Sequence, residues 1–307
     1  MSRSIWLLLA IIVISYLMQT SMSQDWAEEI AKQLLNRDLM RKGTCLVLGS
    51  ADTGKTALVA AIAKHAALSQ PIGIVDADIG QSHIGPPTTV GWAIVDGPQA
   101  DFSQLAIGGI SFVGDIAPTG HLLQLTAAII QCVQQSSKLA ELIIIDTPGF
   151  TYGPAAWALW WTMQRILQPE LILAVERDDE LSDILGGLQY RNSKLELIKC
   201  PPQLPTKSPQ ERRKYRQNQL NKYFRNSCLY NIKLSDVAVQ TSRNSSSKSL
   251  VNRLIALSDG KDKDLSIGLI TNWQRDNDIV EVRSPQLDIQ QIRCLVVGDI
   301  TINIADE

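Results

Sequence analysis

The chain has 307 residues, 45% hydrophobic, with 29 Lys or Arg against 31 Asp or Glu for a formal net charge of −2. That length buries a substantial α/β core, and the composition excludes a disordered or fibrous protein. The near-neutral balance excludes a surface that is basic throughout, so nucleic acid would have to meet a local patch.

The N-terminus opens on an almost unbroken apolar run, "IWLLLAIIVISYLM", Ile5 to Met18, behind the single charge of Arg3. It is shorter than the roughly 20 residues of a usual spanning helix. No clear small-residue cleavage site follows it. Three readings stand side by side: a membrane tether, an extension buried by a partner, or a start codon placed too early with Met18 or Met22 as the true start. We therefore set 1–22 apart as an apolar leader and expect a cytoplasmic chain, with membrane association through Ile5 to Met18 as the alternative.

"WAEEIAKQLLNRDLM", Trp26 to Met40, has apolar residues at helical spacing and leads into the strand "TCLVLG". Directly after that strand stands "GSADTGKT", Gly49 to Thr56, which fits G-x-x-x-x-G-K-[ST], and a helix follows from about Gly54 to Leu68. Backbone N–H groups and the helix dipole hold phosphate oxygens in such a loop. The nucleotide-binding set is thus Gly49, Ser50, Ala51, Asp52, Thr53, Gly54, Lys55, Thr56 and Ala57, with Lys55 reaching the β- and γ-phosphates and Thr56 ligating Mg²⁺.

The next strand, "IGIVD", runs into "ADIGQ", so Asp76 and Asp78 stand at its carboxyl end, where open α/β sheets place their chemistry. "GISFVGD" is read as a strand and "GHLLQLTAAIIQCVQQ" as a helix. "ELIIIDTPG" is a strand ending in Asp146, the usual place for a carboxylate that serves Mg²⁺. Asp76 and Asp146 are the candidates to hold the ion with Thr56. A helix, "PAAWALWWTMQRIL", and a strand, "ELILAVE", follow. On that helix Trp157, Trp160 and Trp161 lie at packing spacing. Strands alternating with helices predict a P-loop NTPase fold, a parallel sheet with helices on both faces.

After "LELIKC" four prolines, Pro201, Pro202, Pro205 and Pro209, open a polar stretch that becomes basic. From Lys207 to Arg225 there are seven Lys or Arg and one Glu. A mobile basic segment over a phosphoryl-transfer site acts as a lid that excludes water. The linker "SRNSSSKS" leads to short apolar runs from about Leu250. The expected organisation is a kinase domain over 23–240 with its lid at 207–225, and a small C-terminal β-rich domain over 248–307. Five scattered cysteines, Cys45, Cys132, Cys200, Cys228 and Cys294, form neither a disulfide framework nor a C-x-x-C zinc pattern.

"DTPG" also fits the phosphate-sensing loop of a GTPase, but guanine is read by N-K-x-D. The one Asn-Lys pair, Asn221-Lys222, is followed by Tyr and Phe. For a kinase, Asp78 can activate the incoming hydroxyl, and the basic run can meet the charge on the transferring group.

Together, "GSADTGKT", "DADIGQSHIGPP", "FVGDIAPTGH", "IIIDTPGF" and the Arg-rich lid resemble the polynucleotide 5′-hydroxyl kinase family, over roughly Gly43 to Arg225. The resemblance implies an ATP- and Mg²⁺-dependent kinase that phosphorylates the 5′-hydroxyl end of RNA or DNA, and we expect no obligate protein partner. It implies that Lys55 and Asp78 are catalytic, and that Gln81 is the amide of the D-x-D-x-G-Q motif. It places Arg212, Arg213 and Arg216 in the lid, Arg213 and Arg216 being the favoured phosphate-facing pair. Phe150 stands where relatives place an aromatic clamp on the terminal base, and Asp52 where an acid holds the loop lysine when substrate is absent. There are departures. The β domain ahead of the kinase core in eukaryotic members has no counterpart here, and Pro118-Thr119-Gly120-His121 replaces a Thr-x-Asn substrate grip, which leaves RNA and DNA both open. The rival readings are a regulatory P-loop NTPase and a non-catalytic nucleotide-binding scaffold.

Overall fold

A computed structural model describes residues 24–37, 39–98, 102–188, 193–241, 250–261 and 263–302. After a helix α1 over 24–36 the chain runs β1 (Gly43–Gly49), α2 (Lys55–Ala66), β2 (Ile72–Asp76), β3 (Thr89–Val95), β4 (Ile107–Phe112), α3 (Leu122–Ser136), β5 (Leu142–Asp146), α4 (Pro154–Leu167), β6 (Leu171–Glu176), α5 (Ser182–Leu188) and β7 (Lys194–Lys199). It continues through α6 (Pro209–Phe224), β8 (Ser227–Lys233), β9 (Ala238–Thr241), β10 (Arg253–Ser258), β11 (Asp264–Gln274), β12 (Ile279–Pro285) and β13 (Cys294–Thr301). These elements form two compact units that alternate along the chain. One takes the described residues up to Ile72 with Val95–Phe102 and Ala140–Lys207; the other takes Gly73–Ile94, Ser103–Leu139 and the described residues from Ser208 onward.

In the first unit the strands run β7-β6-β1-β5, all parallel. β5 and β6 are buried throughout, as their unbroken apolar sequences require when both faces of a parallel sheet are covered. Helix α2 packs on β1 and β5, and Leu58 and Ile62 of the helix and Leu46 and Leu48 of β1 are all completely buried. Trp160 of α4 is completely buried, as packing spacing predicts.

The second unit strings β2-β3-β4-β11-β10-β13-β9 in one order, with β12 on β11 and β8 on β12. β3 is a strand that the sequence reading passes over. It pairs antiparallel with β4, whereas the sequence reading expects parallel strands. The cause lies in the connection: the described part holds one short 3-10 turn and no crossover helix, and an antiparallel return needs none. The C-terminal strands are antiparallel except β9, which runs parallel to β13. Their core is shared with α6: Leu220 and Phe224 bury against Phe112, Leu254, Ala256, Ile267 and Leu269.

No helix among the described residues is long and apolar enough to cross a membrane. The apolar segment Ile5 to Met18 lies outside the described residues.

Candidate functional site

In the first unit the phosphate loop bridges β1 and α2. Gly54 sits at φ 85°, a left-handed conformation that puts glycine at the N-cap of α2. A Cβ there would come within 3.0 Å of the Trp26 ring, so α1 closes over the loop's bend. Asp52 also adopts a left-handed φ, 61°, which Asp tolerates better than most residues. Its carboxylate accepts from Lys207 N at 3.0 Å, and its carbonyl from Arg177 Nη2 at 3.1 Å. Lys55 is buried and donates from Nζ to Ser50 O at 2.7 Å; Thr53 Oγ1 donates to the same oxygen at 2.9 Å.

β5 delivers Asp146 beside this loop. Thr56 Oγ1 donates to Asp146 Oδ2 at 2.6 Å, and Asp146 is 1% exposed. A hydroxyl and a carboxylate are both hard oxygen donors, a pair whose chemistry fits Mg²⁺. The "DTPG" turn lies flush on the loop: a Cβ on Gly149 would meet Ala51 N at 2.6 Å, which only glycine avoids. Ser50 and Thr151 join the two segments through their hydroxyls at 2.9 Å. Phe150 is half-buried, and its carbonyl accepts from Trp160 Nε1 at 2.7 Å, so the buried indole fixes the backbone that carries the ring.

In the second unit the D-x-D motif leaves β2 as a tight turn. Asp76 is 1% exposed and accepts from His83 N at 2.6 Å, Ile84 N at 3.0 Å, Asp78 N at 3.1 Å and Ser82 Oγ at 3.4 Å. Burial raises its carboxyl to about 7, with the neighbouring Asp78 adding to the rise and the backbone donors opposing it. Asp78, half-buried, caps its own turn: Oδ1 accepts from Gly80 N at 3.1 Å and Gln81 N at 3.0 Å. Thr88 closes the loop at φ 80°, costly for a β-branched residue; its N–H donates to Ile79 O at 2.9 Å and its carbonyl accepts from Val113 N at 2.9 Å. The backbone of the Asp78 turn is thereby tied to the segment that carries Pro118, Thr119 and His121.

Helix α6 lies on the same turn. Tyr215 Oη donates to Ser82 O at 2.9 Å, and its ring sits 5.6 Å from that of His83. Gln81 Nε2 donates to Gly80 O at 2.8 Å and reaches Arg212 O at 3.4 Å. Burial and the charges of Asp76 and Asp78 push the Tyr215 phenol up. Arg212 and Arg216, one turn apart, are half-buried, whereas Arg213 is exposed. Burial and the adjacent Arg212 and Arg213 lower Arg216, against the pull of Asp78. His121 stands at the N-cap position of α3, and its side chain turns to Asp299, with Nε2 3.0 Å from Oδ2. Tyr215, Thr88 and Asp299 escape the sequence reading because each works through a partner distant in the chain: Ser82, Val113 and His121 respectively.

Comparison with known proteins adds three findings. The family model described as mRNA cleavage and polyadenylation factor CLP1 P-loop matches residues 49–226. Curated relatives include the polyribonucleotide 5′-hydroxyl-kinases of Pyrococcus abyssi, 32% identical over 66% of this chain and 56% of its own length, and of Pyrococcus furiosus, 32% identical over 69% and 58%. That of Methanocaldococcus jannaschii is 30% identical over 66% and 56%. The chain thus spans a little over half the length of these relatives. Among solved structures, wild-type Clp1p in its complex with Pcf11p superposes with a TM-score of 0.66 at 12% identity, covering 94% of this chain and 79% of that one, a likeness of fold.

Proposed function

The chain belongs to the CLP1 P-loop family, and from that premise we propose that it is an ATP-dependent kinase transferring the γ-phosphate of ATP to the 5′-hydroxyl end of RNA. The names of the archaeal relatives supply the acceptor class. The observation in this chain that carries the reading is the Asp78 turn bound to an arginine-bearing helix: a carboxylate for the hydroxyl and guanidinium groups for the transferring charge, held together by Tyr215 and Gln81.

Lys55 and the amides of the loop from Gly49 to Ala57 take the phosphates. Thr56 and Asp146 would hold Mg²⁺, which when bound offsets charge on the β- and γ-phosphates. Asp76 is committed to the backbone of residues 78, 83 and 84, which supports a positioning role rather than the ion-holding one expected from its place after β2. Asp78 takes the proton of the 5′-hydroxyl as its oxygen bonds to the γ-phosphorus and the bond to the β,γ-bridging oxygen breaks, leaving ADP. The sequence favours Arg213 and Arg216 to meet the charge of the transferring group; burial leads us to assign that role to the half-buried Arg212 and Arg216, with the exposed Arg213 secondary. By the family resemblance we assign Phe150 to stack on the terminal base and Gln81, Pro118, Thr119 and His121 to substrate binding.

The test is transfer from γ-labelled ATP with Mg²⁺ to matched RNA and DNA strands that end in a 5′-hydroxyl or a 5′-phosphate. Label on 5′-hydroxyl RNA alone is the expected result, and Lys55→Ala abolishes it while the unfolding temperature stays within a few degrees. Release of free phosphate indifferent to the strand would place the chain among regulatory P-loop NTPases instead.

A further inference from the structure

Within the second unit the segment from Val113 to His121 is fixed without help from the His121 side chain. Val113 N and Gly114 N donate to Thr88 O at 2.9 and 3.3 Å, and Asp299 N of β13 donates to Gly114 O at 2.9 Å. Gly114, at φ 91°, lies flush on that strand: a Cβ on Gly298 would fall 2.8 Å from Gly114 O. Asp115 Oδ1 accepts from Ile116 N at 2.6 Å and Ala117 N at 3.0 Å, and His121 N donates to Pro118 O at 2.9 Å. The segment also touches the Asp78 turn, where a Cβ on Gly80 would fall 2.8 Å from Ile116 O.

The pairing of His121 with Asp299 therefore fixes a ring rather than a loop. His121 makes no side-chain bond to the helix it precedes, and its Nε2 lies 3.0 Å from Asp299 Oδ2. Asp299 Oδ1 lies 3.8 Å from Arg253 Nη1, which donates to Gly298 O at 3.2 Å, so the carboxylate has its own support on β13. A carboxylate only accepts, so the neutral ring carries its proton on Nε2 and has a lone pair at Nδ1. Nδ1 lies 3.4 Å from Thr119 O, longer than a strong hydrogen bond, which sets two acceptors side by side. A hydroxyl can donate to such a pair. The group that distinguishes RNA from DNA is a hydroxyl, and a 2′-deoxy sugar leaves both acceptors unanswered.

We propose that His121, set in this tautomer by Asp299, reads the 2′-hydroxyl of the 5′-terminal nucleotide, which donates to Nδ1 beside Thr119 O. The proposal rests on the kinase reading and deepens it. The choice of RNA over DNA is assigned to the segment that departs from Thr-x-Asn, and Asp299, from the C-terminal strands, is its positioning residue.

Transfer is measured to two 5′-hydroxyl RNA decamers that differ only in a 2′-deoxy sugar at the first nucleotide, by the wild type, His121→Ala, Asp299→Ala and Asp299→Asn. In the wild type kcat/KM is expected to be about tenfold higher for the full RNA, the size of one hydrogen bond whose partners are otherwise left unpaired. In His121→Ala and Asp299→Ala that ratio falls toward one, whereas Asp299→Asn, whose carboxamide oxygen still accepts from Nε2, keeps most of it. A general loss of fold lowers transfer to both strands together and leaves the ratio, so the ratio separates positioning from structural support. The same two decamers carrying a 5′-phosphate, followed by anisotropy, report the discrimination without turnover. Equal kcat/KM for the two strands in the wild type would overturn the proposal, as would a ratio that His121→Ala leaves intact. A ratio lost in His121→Ala yet kept in Asp299→Ala would overturn the part given to Asp299. A chain that transfers no phosphate, yet through His121 binds the full RNA more tightly than its 2′-deoxy twin, would sink the kinase reading and leave the 2′-hydroxyl reader standing.

Discussion

The family resemblance favours Arg213 and Arg216 among the three lid arginines, whereas burial sets Arg212 and Arg216 apart from the exposed Arg213. A guanidinium that is half-buried and close to other cations is held in place at some cost, which a merely solvated residue does not bear. Replacing Arg212 or Arg216 by Ala is therefore expected to lower kcat by roughly 10²-fold or more, as befits a group that meets transition-state charge. Arg213→Ala is expected to cost only a few-fold. Single-turnover rates at saturating ATP and strand decide the matter, and a larger loss in Arg213→Ala than in Arg212→Ala would reverse the assignment. At this scale the phosphate loop is legible because its glycines and lysine have fixed jobs at fixed spacing. The motif places Asp76 and Asp78 side by side as acids; the fold distinguishes them by burial, since both accept from backbone N–H groups but Asp76 is buried and Asp78 only half-buried.

The elements that local chemistry specifies are those the sequence predicts well. The run "TCLVLG", a glycine-rich loop and an amphipathic continuation define β1, the loop and α2 without outside help. The direction in which β3 pairs with β4 is not a local property, and the strand itself is masked by prolines before it and Asp-Gly after it. Helix α6 is an intermediate case. Its apolar moment is weak and its sequence reads equally as a solvated face, yet its start is written plainly in "SPQE". Ser208 accepts from Glu211 N at 3.2 Å, Glu211 returns a bond to Ser208 N at 2.7 Å, and Pro209 occupies the first turn. Such a capping box contributes on the order of 1 kcal/mol. Ser208→Ala is expected to fray the first turn of α6, the turn that holds Arg212, lowering hydrogen-exchange protection there by roughly fivefold while Leu220 and Phe224 keep the helix seated. Uniform protection along α6 in that variant would mean that packing alone fixes the helix.

Between the two compact units the chain passes repeatedly, so neither can be copied out as one continuous stretch. Reading along the sequence separates a β-rich tail over 248–307 at a Ser-rich linker, a division drawn from composition. Contacts set another constraint on what that tail does. Leu254, Ala256, Ile267 and Leu269 bury against Leu220 and Phe224 of α6, and Asp264 accepts from Phe112 N of β4 at 2.7 Å. Each fully buried aliphatic side chain contributes about 1.5–3 kcal/mol, so losing three or four of them approaches the whole stability of an ordinary domain. A chain ending at Thr241 is accordingly expected to lose the cooperative melting of α6 and with it the transfer reaction, because the arginines would no longer be held on the Asp78 turn. Circular dichroism melts and transfer assays on the shortened and full chains test this together. Melting and transfer equal to those of the full chain would instead make 248–307 an independent module, and α6 would then owe its position to Tyr215 and Gln81 alone.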